Sequence, residues 1–301
     1  MGLWMTIESC MMDLAGTGYT YEFRVYSNGS PEMDEDELRI KHYIGDSGHH
    51  GEYTHSVESV APPVARHELT LNANGKYLFF FDNHCMVVPG YFRRAIESME
   101  DTGIDYLHSS TRFYNGDNGK DYSYHLSLKR DFWTEKPYKE PQDSSRPYRI
   151  ATAGHGGFVV RTSTWKEIGG YYEGFEGYGG EETSTDLKAW RMGKEVWIDP
   201  QLVHMHWGGK RVYDRHFTDS YYFNMFSSAY IVGGDKWLST VFKSAGFSTR
   251  FVNKSGPQVS LFSIMQRAQT KATGYARWVE QNSVHTLDEV IQRFETDSIP
   301  Y

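Results

Sequence analysis

Three short stretches of this sequence carry side chains whose types and spacing could do chemistry. The first is Asp82-Asn83-His84. Alternate residues of an extended segment point the same way, so a carboxylate and an imidazole stand together and could hold a divalent cation. Mixed oxygen and nitrogen ligation suits manganese or another transition metal better than calcium, whose sites are all oxygen. In the second, Val203-His204-Met205-His206-Trp207, two imidazoles share a side, and either could complete a metal site from a distant part of the chain. The third, Phe175-Glu-Gly-Tyr-Gly-Gly-Glu-Glu182, lets a bulky ligand approach a glycine-rich main chain and then presents Glu181 and Glu182. Those carboxylates could orient a ligand hydroxyl or act as a base. Each stretch also has a plain structural use: Asp82 as a turn cap, the histidines as backbone partners, and the glutamates as charges at a helix start.

The elements that must position these groups are legible from periodicity. Trp4, Ile7, Met11 and Leu14 predict an amphipathic helix over 3–14. Tyr21 to Tyr26 alternates as a strand and ends in the turn cluster Ser27-Asn-Gly-Ser30. Residues 31–60, polar, acidic, His-rich and weakly periodic, read as a variable excursion. A helix is expected from Pro63 to about Asn74, and the unbroken apolar run Tyr77-Leu-Phe-Phe-Phe81 reads as a central parallel strand covered on both faces. That strand delivers Asp82 and His84 to its carboxyl end, where open α/β sheets bind ligands. Further on, 90–100 reads as a helix, 104–109 as a strand, and 111–150 as a stretch rich in tyrosine and charge. Asp235–Ser244 and Thr286–Phe294 read as helices, the latter opened by a Thr286/Glu289 capping box. Alternating strands and helices over the first 110 residues predict a doubly wound, mostly parallel sheet.

Composition narrows the class. The 301 residues, 39% hydrophobic and 23% charged, suffice for a sizeable core. A net charge of −8, with no long Lys/Arg run, gives no global attraction to nucleic acid. The two cysteines, Cys10 and Cys85, make no disulfide framework, and no apolar run reaches membrane-spanning length. The expectation is a soluble, cytoplasmic protein without membrane insertion.

Taken in order, these segments resemble the nucleotide-sugar glycosyltransferases of the GT-A superfamily, most closely the catalytic domain of polypeptide N-acetylgalactosaminyltransferases. Gly75 to Cys85 looks like that family's metal motif, an Asp-x-His-Cys after an apolar strand, and Ala65-Arg66 lies where it carries an Ala-Arg pair. Ala153-Gly154 through Gly170-Tyr171 is similar to its glycine-rich run, and Tyr178-Gly-Gly-Glu-Glu182 stands where it has Trp-Gly-Gly-Glu-Asn. The family's third metal ligand is a His six residues after a proline. That count from Pro200 lands on His206, with His204 as the fallback. Ser27-Asn28 stands where the family carries an Asp pair. Without a lectin module or membrane anchor, the resemblance points to a bacterial or viral relative.

The resemblance implies a GT-A-type, Rossmann-like α/β fold with a helical C-terminal extension. Its catalytic domain would span 1–210, with a donor half over about 1–110 and an acceptor half over about 111–210. Residues 211–301 would form a lid segment and the extension. The implied activity is metal-dependent transfer of a sugar from a nucleoside diphosphate sugar, UDP-linked by the resemblance, to an acceptor hydroxyl. Polysaccharide, protein and a modified DNA base are the acceptor classes left open. Asp82, His84 and His206 would hold manganese or another divalent cation. Asn28, Arg66, Asp82, Gly156, Gly157, Lys210 and Arg211 would bind the donor, and Glu181 and Glu182 would serve catalysis. The competing readings are a non-catalytic carbohydrate-binding protein on the same fold and a metal-dependent sugar-nucleotide hydrolase.

Overall fold

The computed structural model describes residues 2–29, 32–46, 51–113, 121–122, 124–126, 135–137, 145–154, 156–207, 219–247 and 260–296. Its first part alternates helix and strand: α1 (Gly2–Leu14), β1 (Phe23–Asn28), α2 (Glu35–Asp46), β2 (Gly51–Ser56), α3 (Pro62–Leu71), β3 (Tyr77–Phe81), β4 (Cys85–Val87) and α4 (Tyr91–Thr102). Then come β5 (Tyr106–Phe113), the short strands β6 (Asp121–Tyr122), β7 (Tyr124–Leu126), β8 (Glu135–Pro137) and β9 (Tyr148–Arg149), and β10 (Gly157–Arg161). The chain continues through α5 (Thr162–Glu167), α6 (Glu181–Arg191), β11 (Val196–His206), α7 (Asp219–Phe247), α8 (Leu261–Asn282) and α9 (Leu287–Thr296).

The principal sheet has the order β3-β10-β5-β11-β4, with β6 on β5 and β9 on β11. It is mixed. β5 and β11 run parallel, whereas β10 is antiparallel to both β3 and β5, and β4 is antiparallel to β11. The expectation of a mostly parallel sheet is met by β1–β2 and β5–β11 alone among the described pairings. Apolar runs such as Phe158-Val-Val160 arise wherever both faces of a strand are covered, whichever way its neighbour runs, so sequence could not separate the two cases.

The Tyr77–Phe81 run is indeed covered on both faces. Leu78 and Phe80 join the cluster of Phe158, Trp165 and Tyr171, while Tyr77, Phe79 and Phe81 pack with Tyr91 and Phe92. Its position corrects the reading of a central parallel strand: among the described residues β3 pairs on one edge only, antiparallel to β10.

The described residues 32–46 and 51–60 are also more regular than their polarity suggested. α2 presents Ile40 and Ile44, one turn apart, to Ile7 and Val25, and β2 pairs in parallel with β1. One narrow apolar stripe on an otherwise acidic helix gives little periodic signal.

A single apolar cluster runs from Ala61 to Ile291 and joins one face of the sheet to α7, α8 and α9. Thr286 and Glu289 form the expected reciprocal cap of α9, with the Thr286 N–H donating to Glu289 Oε2 at 2.7 Å and the Glu289 N–H to Thr286 Oγ1 at 3.2 Å. α8 was not foreseen. It buries Ile264, Ala268, Ala272 and Val279, and small alanines among polar residues leave a faint apolar stripe.

Candidate active site

The ends of β3 and β11 build the centre. The Asp82 N–H donates to the Gly156 carbonyl at 3.3 Å, which ties the carboxyl end of β3 to the segment leading into β10. The chain then turns sharply, the Cys85 N–H donating back to the Asp82 carbonyl at 3.3 Å. In the adjoining ladder His206 lies opposite Cys85, and the Trp207 N–H bonds the His84 carbonyl at 3.0 Å. Two segments more than a hundred residues apart are thereby clamped side by side.

The result is a compact trio. His206 Nε2 lies 3.1 Å from Asp82 Oδ2 and 3.1 Å from His84 Nε2. Ligand atoms of Asp82, His84 and His206 all fall within 4.8 Å of one another. One carboxylate oxygen and two imidazole nitrogens form a donor set that fits manganese or a similar cation. Arg66, on α3, pairs with the second carboxylate oxygen, Oδ1 of Asp82. Burial opposes the Asp82 charge, but Arg66 and then His206 outweigh it, so the carboxyl is held far below the usual carboxylate range. Burial likewise opposes the Arg66 charge, and Asp82 overcomes it.

His204 shares the buried side of β11 with His206 but is engaged otherwise. Its Nδ1 lies 2.8 Å from Ser109 Oγ and its Nε2 lies 3.2 Å from Thr111 Oγ1. It is wholly buried, and desolvation, followed by the proximity of His206, lowers its pKa to about 3. The ring is therefore neutral with both nitrogens occupied. Gly157 makes room for it: a Cβ there would stand 2.6 Å from His204 Nδ1 and 2.8 Å from Ser109 Oγ. At Gly156 a Cβ would stand 3.3 Å from His204 Nε2 and 3.5 Å from His206 Cδ2.

Glu181 opens α6 behind the glycine loop. Gly180 precedes it at φ +83°, where a side chain would be strained and a Cβ would also stand 3.0 Å from the Met225 nitrogen. α7 braces this loop. Asn224 accepts from the Glu176 N–H at 2.8 Å and donates to the Glu176 carbonyl at 2.7 Å, and Ser228 donates to the Gly180 carbonyl at 2.6 Å. The Glu181 side chain is 1% exposed, and its Oε2 has no hydrogen-bond partner among the described residues. Burial, opposed by backbone N–H groups and Arg66, pushes its carboxyl up. An orphaned buried carboxylate oxygen costs free energy unless a ligand satisfies it.

Arg66, Asp82, His84, Glu181 and Glu182 all line one cavity of about 1130 Å³. Asn28 lies on its wall as well, but its side-chain amide is committed to Val60, accepting from the N–H at 2.8 Å and donating to the carbonyl at 2.6 Å. Lys210 and Arg211 lie outside the described residues, as do Tyr213 and His216 of the expected lid. Sequence reasoning missed Ser109 and Thr111, which occupy His204, and Asn224, which pins the glycine loop; no motif marks such partners. Two further buried pairings escaped it. Asp186 lies 3.3 Å from His108 Nε2 and accepts from the Ala153 N–H, and Asp199 takes Arg94 through both carboxylate oxygens.

Residues 3–169 match the profile of Glycosyl transferase family 2, more than half of the chain. The chain belongs to this family. Among curated proteins it is 26% identical over 143 residues to the probable N-acetylgalactosaminyltransferase 7 of Caenorhabditis elegans, covering 43% of this chain and 24% of that protein. It is also 26% identical over 146 residues to polypeptide N-acetylgalactosaminyltransferase 5 of the same organism, covering 42% and 22%. The chain thus spans about a quarter of the length of these relatives.

Among solved structures, GalNAc-T7 with UDP, GalNAc and Mn2+ superposes with a TM-score of 0.66 at 15% identity, covering 90% of this chain and 52% of that one. S. aureus TarS 1-349 in complex with UDP-GlcNAc gives 0.54 at 14% identity, covering 98% and 89%. At such identities these likenesses establish the fold, which is GT-A. Among the described residues no helix of this family member is long and apolar enough to cross a membrane.

Proposed function

We propose that this chain is a metal-dependent glycosyltransferase, moving a sugar from a UDP-linked donor to an acceptor hydroxyl. The observation that carries the reading is the trio of Asp82, His84 and His206, with Asp82 and His84 lining a cavity that is also lined by Glu181, whose Oε2 has no hydrogen-bond partner among the described residues. The curated relatives bear N-acetylgalactosaminyltransferase names, and the two solved structures hold UDP or UDP-GlcNAc, one of them with Mn2+. A cation held by Asp82, His84 and His206 would stabilise the negative charge that grows on a departing diphosphate. Arg66 keeps Asp82 ionised for that purpose. His204, with both nitrogens taken, supports the trio from beneath and is not a ligand.

Glu181 meets the sugar or the acceptor. Its unpaired oxygen is suited to accept from a hydroxyl that arrives with the substrate, and burial, which pushes its carboxyl up, favours its taking up a proton. Glu182, beside it on the same cavity wall, is the competing base. Gly156 and Gly157 keep the wall thin between β10 and the trio. Residues 1–210 form the catalytic unit in this reading, and the compartment is the cytoplasm.

A panel of nucleotide sugars, with and without Mn2+ and followed by release of nucleoside diphosphate, tests the proposal. Turnover of UDP-GalNAc or UDP-GlcNAc that quickens when a glycan or peptide acceptor is added supports transfer. Free sugar released at the full rate without acceptor would establish a hydrolase instead, and absence of turnover with every donor would leave a binding protein.

A further inference from the structure

The sequence reads the glycines ahead of Glu181 as room for a ligand. The structure fills that room with α7. A Cβ on Gly177 would stand 2.9 Å from Ser220 Cβ, one on Gly179 2.6 Å from Tyr221 Cδ2, and one on Gly180 3.0 Å from the Met225 nitrogen. All three neighbours belong to the first two turns of α7. The loop's main chain therefore lies directly on that helix, close enough that a methyl group on any of the three would have to push it away.

α7 carries a matching polar stripe. Ser220, Asn224 and Ser228 stand at four-residue spacing and share one face, among the buried apolar side chains of Phe223, Met225, Phe226 and Ala229. Asn224 and Ser228 are themselves wholly buried, and buried polar groups need partners. The loop's backbone supplies them. Asn224 accepts from the Glu176 N–H at 2.8 Å and donates to the Glu176 carbonyl at 2.7 Å, as a neighbouring strand would, and Ser228 donates to the Gly180 carbonyl at 2.6 Å. Asn224 also lies under the loop's far end, where a Cβ on Gly180 would stand 3.2 Å from its carbonyl carbon and 3.4 Å from its Cβ. One side chain thus meets Glu176 and Gly180, the residue directly before Glu181. A further tie, from Arg267 and Lys271 of α8 to the Glu176 carboxylate at 2.9 and 3.2 Å, joins half-exposed cations and holds less.

We propose that Asn224 is a positioning residue: by holding the loop at Glu176 and Gly180 it sets where the Glu181 carboxylate stands in the cavity. The inference rests on the glycosyltransferase reading, in which Glu181 meets the sugar or the acceptor. Asn224 itself takes no part in the chemistry, since it is wholly buried and its amide is bound to the main chain. A misplacement of about 1 Å at a reacting group can cost about 10²-fold in rate. Release of the loop should therefore act on turnover, while Mn2+ and UDP binding, which that reading gives to the trio on β3 and β11, stay as they are.

The test places Asn224→Ala, and the milder Ser228→Ala, in the parent chain and in Glu181→Gln. With UDP-GalNAc or UDP-GlcNAc and Mn2+, Asn224→Ala should lower kcat by about 10²-fold and Ser228→Ala by less. Mn2+ and UDP affinities should stay within about twofold of the parent. In the Glu181→Gln background either substitution should cost less than about twofold, because residues that act through one another are not additive. Equal losses in both backgrounds, or a full kcat in Asn224→Ala, overturn the positioning role. Backbone hydrogen exchange over 176–182, read without donor or metal, checks the hold itself: Asn224→Ala should quicken it by about tenfold or more, and unchanged exchange overturns the proposal. Should Asn224→Ala not fold, Ser228→Ala carries the same comparisons. A parent idle with every donor would overturn the glycosyltransferase reading and the rate claim with it, while exchange alone still decides whether Asn224 holds the loop.

Discussion

His206 Nε2 lies 3.1 Å from Asp82 Oδ2 although 124 residues separate them in the chain. His204, two residues earlier on the same side of β11, is held instead by Ser109 and Thr111. The two histidines should therefore fail differently. Outer partners of metal ligands are worth about 10–100-fold in affinity, so His206→Ala should weaken Mn2+ binding by at least that much while melting near the parent temperature. His204→Ala should instead lower stability by about 1–3 kcal/mol, because it strips two buried hydroxyls of their partner. Calorimetric Mn2+ titration beside thermal melting checks both. A His204 variant that is stable yet binds no metal would reverse the assignment.

Glu181 supplies a second test. Glu181→Gln keeps size and burial but removes the carboxylate, and turnover should fall by about 10²–10⁴-fold with UDP affinity nearly unchanged. Steady-state rates and UDP titration separate the two effects. Wild-type turnover in this variant would reduce Glu181 to a helix-start carboxylate, and the same loss in Glu182→Gln would point to the neighbour as base.

Gly157 has a steric role that can be measured without substrate. A methyl group there meets His204 Nδ1 at 2.6 Å and Ser109 Oγ at 2.8 Å. Overpacking of this kind costs about 1–3 kcal/mol, so Gly157→Ala should lower the denaturation midpoint measurably. An unshifted midpoint would show that His204 can move aside.

Lys188 makes stability depend on pH in a defined window. It is buried on α6, with Nζ donating to the Gly170 carbonyl and, at 2.7 Å, to the Tyr275 hydroxyl. Desolvation lowers its pKa from 10.5 to about 7. Between those values the unfolded chain holds a proton that the folded chain lacks, so stability rises with pH from about 7 towards 10, by up to about 1.4 kcal/mol per unit. Urea titrations of the parent and of Lys188→Met across pH 7–9 should show this slope in the parent and a shallower one in the variant.

Much of this architecture was legible because local signals were strong. The heptad-like spacing of Trp4, Ile7, Met11 and Leu14, the apolar run before Asp82, and the Thr286/Glu289 box each mark an element that the structure contains. What sequence could not supply was pairing. Whether Tyr77–Phe81 sits in the centre or on one edge depends on which strand lies beside it, and the composition of a doubly covered strand is the same either way.

The site divides along the same line. The spacing of Asp82 and His84 is local, whereas the choice between His206 and His204 depends on hydroxyls of Ser109 and Thr111 brought in by β5. Asn28 lies on the cavity wall, and its amide partner, the Val60 backbone 32 residues away, is again a pairing that no local pattern marks.

The central claim is that Asp82, His84 and His206 hold the cation on which donor turnover depends. The most direct measurement is UDP release from UDP-GalNAc and UDP-GlcNAc, in chelator and then in excess Mn2+, by the parent chain and by Asp82→Asn side by side. The account predicts release only from the parent and only with Mn2+. Full-rate release by the chelated parent, or by Asp82→Asn, would contradict it.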